Sequence, residues 1–105
     1  MADFRYTYAK LSDSVGILVT HQGTLRERIV FAFAPFITIS PQDFPDELGK
    51  IYDDLMQRAN AVKAEGDEGN ITATVSEMSD DEVASLARGI RNLEYQMRDF
   101  VRDLN

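Results

Sequence analysis

The sequence predicts an all-α protein, a small bundle of four to five helices with a long C-terminal helix, forming one domain over residues 1–105. Three observations carry this prediction. Apolar residues recur at helical spacing in the last quarter of the chain, the same spacing returns in its middle, and two motifs typical of helix starts are present. A chain of 105 residues, 44% of them hydrophobic, is long enough to bury one core.

The C-terminal helix is the clearest element. Seven apolar residues, here called the C-terminal seam, follow one another at steps of three and four: Val83, Leu86, Ile90, Leu93, Met97, Phe100 and Leu104. Ser79 and Glu82 form a capping box ahead of it, in which each side chain accepts a hydrogen bond from a free backbone amide. A helix over residues 80–104 would span the whole domain or project beyond it. Gly89 inside it indicates a close approach by a neighbouring backbone.

A second amphipathic helix is predicted over residues 45–63. Its apolar face comprises Leu48, Ile51, Tyr52, Leu55, Ala59 and Val62. Pro45 fits only a first turn, because proline inside a helix removes a backbone hydrogen bond. The preceding residues 40–43 are typical of a short, separate helical turn that leads into the main helix.

A loop and a short helix are expected between these two helices. Residues 64–70 contain two glycines and three carboxylates, which cannot continue an apolar face, so they predict an exposed loop. One or two helical turns over residues 71–78 should follow, with Asn70 as their cap.

The first forty residues fit two interpretations. Their alternating β-forming residues favour a three-stranded meander, which with the helical hairpin would make an α+β protein: Phe4, Tyr6, Tyr8, Ile17, Val19, Ile29, Phe31 and Phe33. Phe4, Leu11 and Leu18 also share one helical face. Thr24 opens a second capping box, for a helix that Pro35 would kink or end. We adopt the helical interpretation and keep the meander as the alternative.

Four short motifs occur in an order that resembles small uncharacterised bacterial proteins. They run from Gly23 to Ile29, from Pro41 to Leu48, from Glu68 to Ile71 and from Met78 to Glu82. The resemblance implies a helix at the first motif and a bacterial or phage origin. It implies no activity, and both the aromatic N-terminus and the tail after Arg91 depart from the pattern.

Composition disfavours several classes of function. The absence of cysteine removes thiol nucleophiles, disulfides and cysteine-ligated metals. Eleven basic and eighteen acidic residues give a net charge of −7, which repels nucleic-acid phosphates and anionic lipids, so we expect neither as a direct partner. The longest apolar stretch, residues 29–39, is interrupted by Pro35 and Thr38, and the first five residues are unlike an export signal. We therefore expect a cytoplasmic protein.

Residues that support catalysis are few. His21 is the only histidine and is expected in a surface loop, because no cysteine, or serine with an acidic partner, completes a catalytic group around it. The carboxylates at 53–54 and 80–82 are expected on solvated faces or at helix caps. The sequence has no phosphate-binding or dinucleotide-binding glycine motif and no calcium loop. We therefore predict that the protein is not an enzyme and uses no metal or cofactor.

Surface recognition is the function class that remains. The C-terminal seam has more members than the helix at 45–63 can cover along its length. The predicted interface, with a second copy of the chain, is its C-terminal end: Leu93, Met97, Phe100 and Leu104. The alternative is burial within the chain under Phe4, Tyr8 and Leu11. The sequence thus predicts a non-catalytic protein–protein interaction module that forms a homodimer and binds a protein partner.

An acidic face is the alternative functional site. It comprises Asp43, Asp46, Glu47, Asp53 and Asp54, continued in the loop by Glu65, Asp67 and Glu68. Carboxylates in rows on rigid helices can imitate the spacing of DNA phosphates. This pattern predicts an inhibitor of a nucleic-acid-processing enzyme, of the phage or mobile-element type. An enzyme of unknown type is the third hypothesis.

Overall fold

The computed structural model describes residues 3–104, and every element in that range is helical. Five α-helices and two short 3₁₀ helices follow one another: α1 (Phe4–Thr20), α2 (Leu25–Ala32), η1 (Ala34–Thr38), η2 (Pro41–Asp43), α3 (Asp46–Ala59), α4 (Asn70–Glu77) and α5 (Asp80–Arg102). The all-α bundle is confirmed and the N-terminal meander is wrong. Met1 and Ala2, the first residues considered as an export signal, lie outside the described residues.

Helix α5 is the central element of the bundle. Its 23 residues form a rod of about 35 Å in a molecule whose longest dimension is 44 Å, so it spans most of the domain; it ends at Arg102 and is slightly shorter than the predicted helix over residues 80–104. Helix α1 runs antiparallel to it, with Phe4 beside Phe100 and Tyr8 beside Glu94. Helix α3 also runs antiparallel, because Arg58 near its end contacts Ser85 near the start of α5.

Helix α1 buries two polar residues beside its apolar ones. Leu11 is fully buried, and so are Thr7 and Ser14. The Ser14 hydroxyl donates to the carbonyl of Ala32, the last residue of α2, at 2.6 Å. The Thr7 hydroxyl donates to the carbonyl of Asp43 in η2 at 3.0 Å. These bonds satisfy carbonyls at helix ends that have no partner within their own helix.

Helix α2 begins and ends as the sequence predicts. Thr24 and Glu27 form the capping box, and their backbone and side-chain hydrogen bonds lower the pKa of Glu27. The helix stops at Ala32, shortly before Pro35, and the chain continues as η1.

Tyr52 of α3 connects η1 to the rest of the core through hydrogen bonds and ring contacts. Its buried hydroxyl lies 3.3 Å from the carbonyl oxygens of both Phe36 and Ile39. Its ring stacks on Phe44 and meets Phe36 edge-on. Burial raises the pKa of Tyr52 to about 12, and the charge of Asp43 adds to the shift.

Helix α3 is shorter than predicted. It begins after Pro45, and the separate turn ahead of it is present as η2. It ends at Ala59, so Val62 lies in the following loop and is half-buried there rather than on the helix. Gly49 faces η2 so closely that a Cβ at this position would lie 2.6 Å from the Pro41 carbonyl oxygen.

Helix α4 confirms the predicted short turns but not their cap. Gly69 takes the cap position, and the Asn70 side chain instead accepts a hydrogen bond from the Ala64 amide at 2.9 Å. Arg26 of α2 donates to the carbonyl of Met78 just beyond α4 and pairs with Asp80 of α5, both at 2.7 Å. One guanidinium therefore holds three helices together.

Gly89 also has a different neighbour from the one predicted. A Cβ at this position would lie 2.5 Å from a methyl carbon of Leu55, whereas no backbone atom of another element comes as near. The glycine therefore lets a side chain of α3, not a backbone, lie against α5.

Candidate functional site

The predicted C-terminal interface lies largely inside the core. Leu93 and Met97 are fully buried within the chain. Phe100 is half-buried and meets the Phe4 ring edge-on, with 5.2 Å between ring centroids. Leu104 lies beyond the end of α5 and is 47% exposed. Helix α1 packs along this part of α5. Leu93 and Met97 are therefore buried within the chain, which is the predicted alternative to a dimer interface.

The large apolar side chains that reach solvent lie elsewhere. Within the described residues, six such side chains are exposed: Tyr6, Val19, Phe31, Ile37, Tyr95 and Leu104. The first four belong to α1, α2 and η1, and Ile37 is 84% exposed. The N-terminal part of the chain therefore carries most of the exposed apolar residues.

We call Tyr6, Phe31 and Ile37 the N-terminal face. Phe31 lies near the end of α2 and Ile37 on η1, and both side chains reach solvent. The Tyr6 hydroxyl hydrogen-bonds the Thr38 hydroxyl at 2.8 Å, next to Ile37.

Neighbouring side chains support two of the rings on this face. The Lys10 ammonium lies 5.3 Å from the centre of the Tyr6 ring. The His21 ring packs against Phe31 with 4.6 Å between centroids. The rings of Tyr6 and Phe31 are therefore exposed, and each also contacts a neighbouring side chain.

The charged residues are unevenly distributed along the chain. Residues 3–38 contain four basic and three acidic side chains, a net charge of +1. Residues 43–82 contain twelve acidic and three basic side chains, a net charge of −9. The apolar N-terminal face thus lies on a segment whose own charges nearly balance, as do those of residues 83–105.

The predicted acidic face is only partly continuous. Asp46, Glu47, Asp53 and Asp54 are exposed on α3, whereas Asp43 is half-buried and accepts a hydrogen bond from the Ser40 amide at 2.8 Å. Cations interrupt the row, because Lys50 lies about one turn from each of the four carboxylates on α3 and Arg58 lies 3.8 Å from Asp54. The fully acidic part of the row is therefore short.

A buried carboxylate on α5 is a feature that the sequence reading missed. Glu94 and Arg98 resemble an ordinary surface pair, yet Glu94 is only 5% exposed. Both of its carboxylate oxygens accept hydrogen bonds from Arg98, at 2.7 and 2.8 Å, and the Tyr8 hydroxyl donates at 3.4 Å. These bonds raise the pKa of Arg98. The position of Glu94 could have indicated its burial, because residue 94 directly follows a residue of the C-terminal seam and faces α1.

The residues considered for catalysis remain apart. His21 is exposed at the end of α1, as expected. Across residues 3–104, no three histidine, aspartate or glutamate side chains lie close enough to bind a metal ion together. Glu82 is engaged in the capping box with Ser79, whose backbone and side-chain hydrogen bonds lower its pKa.

The fold defines a small helical bundle whose candidate sites are surfaces. No protein-family model matches the chain, and no curated protein or solved structure is significantly similar to it. Within the range that the structure covers, no helix is both long and apolar enough to cross a bilayer.

Proposed function

We propose that the protein is a non-catalytic protein–protein interaction module that pairs with a second copy of itself through the N-terminal face. One observation carries the proposal: four of the six exposed large apolar side chains lie on α1, α2 and η1. Interfaces draw most of their energy from a few such side chains. The anchors are therefore Phe31 and Ile37, rather than the C-terminal seam.

The distribution of charge supports a second copy as the occupant. Two chains of charge −7 repel each other, and the repulsion is weakest where the approaching surfaces are neutral. Residues 3–38 provide such a surface, because their net charge is +1. A two-fold contact through the same patch on both copies is self-contained and closes at two subunits. The rest of the surface stays free for another protein partner.

Replacing Ile37 with aspartate tests this proposal. The variant Ile37→Asp places a charge at the centre of the contact, so we expect dimer affinity to fall at least about thirtyfold, the loss typical of a strong anchor residue. Sedimentation velocity should then show a dimer for the parent chain and a monomer for the variant.

Tyr95→Asp is the matched control, because Tyr95 is also exposed but lies on α5 rather than on α1, α2 or η1. It should sediment as the parent does. Equal behaviour of the two variants would contradict the proposal, and circular dichroism establishes that both remain folded.

A second candidate function is inhibition of a nucleic-acid-processing enzyme through the acidic surface, as phage and mobile-element proteins can do. The net charge of −9 over residues 43–82 favours it, although Lys50 and Arg58 interrupt the row on α3. Such binding depends on charge, so a complex with a basic enzyme should dissociate as salt is raised. Binding that is insensitive to salt would contradict this candidate.

A further inference from the structure

A groove lies where the end of α3, the end of α4 and the start of α5 meet. Its volume is about 330 Å³, at the lower end of the range for ligand sites. Val62 and Met78 form an apolar floor and are both half-buried. The carboxylates of Glu77 and Glu82 stand on its edge and are exposed. We call this feature the acidic groove.

Hydrogen bonds within the chain fix the walls of the acidic groove. The Thr74 hydroxyl accepts from the amide of Val62 at 2.9 Å, which holds the loop against α4. Arg26 binds the carbonyl of Met78 from outside the groove. The groove therefore needs little rearrangement before it can bind a partner.

The charges at the groove favour a cationic occupant. Glu82 accepts a hydrogen bond from the Ser79 amide through one carboxylate oxygen, at 3.0 Å, which orients its charge. Arg58 also lines the groove, where it donates to Ser85 at 3.1 Å and lies 3.8 Å from Asp54, so the three ionised side chains that line the groove sum to −1. The two glutamates therefore make the net charge of the groove negative.

We propose that the acidic groove binds a basic segment of another protein by accepting an arginine side chain. The aliphatic part of arginine would lie on Val62 and Met78, and its guanidinium would meet the carboxylates of Glu77 and Glu82. The surrounding charge of −9 over residues 43–82 attracts such a segment from a distance. This inference does not depend on self-pairing through the N-terminal face.

A short fluorescein-labelled peptide of alternating arginine and leucine is a suitable probe, and its binding can be followed by fluorescence anisotropy. The double variant Glu77→Gln with Glu82→Gln removes two charges, while glutamine at the second position still fits the capping box. We expect it to weaken binding at least about fivefold, from the loss of two ion pairs.

The double variant Asp46→Asn with Asp53→Asn is the matched control, because it removes the same charge from the exposed surface of α3. It should change binding less than about twofold, since distant surface charges are screened. Equal weakening by both double variants, or no binding of the peptide to the parent chain, would overturn the proposal.

The apolar floor gives an independent readout. Val62→Ser keeps the backbone hydrogen bonds to Thr74 but removes an apolar contact, so peptide affinity should fall; unchanged affinity would overturn the assigned position. In the parent chain, the methyl NMR signals of Val62 and Met78 should shift when the peptide is added. If the peptide binds and these signals do not shift, the assigned position is wrong. Because this measurement uses the parent chain, it holds even if a variant fails to fold.

Discussion

The N-terminal part of the bundle, α1, α2 and η1, distributes its side chains differently from α3 to α5. In α5, the apolar residues from Val83 to Met97 are buried on one side, and the exposed side is mostly polar. In α1 and α2, Thr7 and Ser14 are buried while Val19 and Phe31 reach solvent. The difference indicates that regular apolar spacing marks the core, whereas irregular spacing leaves apolar residues available for binding.

An apolar-to-aspartate substitution should destabilise the fold strongly in one part and hardly at all in the other, and this is the largest contrast that we predict. Met97→Asp buries a charge without a partner in the core and should cost more than about 4 kcal/mol. Ile37→Asp lies on the surface and should change stability by less than about 0.5 kcal/mol. Circular dichroism during thermal unfolding measures both; similar melting of the two variants would remove the contrast.

Two glycines extend the comparison to backbone packing. A Cβ at Gly49 would lie 2.6 Å from the Pro41 carbonyl oxygen, so Gly49→Ala should destabilise the protein by about 1–3 kcal/mol. Gly16 in α1 has open space around it, and Gly16→Ala should stabilise the protein by up to about 1 kcal/mol through helix propensity. Urea titration gives both values, and a Gly49→Ala variant as stable as the parent would show that the packing around α3 is looser than described.

Tyr52 connects the two parts, and the loss of its hydroxyl should destabilise the protein less than Met97→Asp does at neutral pH. Tyr52→Phe removes the hydrogen bonds to Phe36 and Ile39, at a cost of about 1–2 kcal/mol. The pKa of Tyr52 is raised from 10.0 to about 12, so the folded protein holds this proton more tightly than the unfolded chain.

The contribution of Tyr52 is therefore complete below about pH 10 and is lost as the pH rises through about 12. Urea titrations of the parent at rising pH should show this loss, and Tyr52→Phe should lack that part of it. An identical pH dependence in both proteins would mean that Tyr52 ionises equally well in the folded state.

The sequence was most informative where local chemistry determines local structure. The capping boxes at Thr24 and Ser79 mark the starts of α2 and α5, and Pro35 lies just beyond the end of α2, because caps and proline act within a few residues. The long amphipathic pattern of α5 likewise needed no knowledge of its neighbours.

The sequence was least informative where a neighbouring element determines whether a residue is buried or exposed. Spacing placed Leu93 and Met97 on an apolar face but could not show that α1 covers that face. It did not indicate that Glu94 is buried, because one of its hydrogen-bond partners is Tyr8, far away in the chain. The exposure of Ile37 follows from the path of η1, which no periodic pattern describes.

Sedimentation equilibrium of the unmodified chain over a range of concentration and salt tests the central claim, self-pairing through the neutral N-terminal face, most directly. We expect a species of twice the chain mass of 11.9 kDa, with an association that strengthens as salt screens the charge of −7. A single species of 11.9 kDa at every concentration and salt, or a dimer that dissociates as salt is raised, would contradict it.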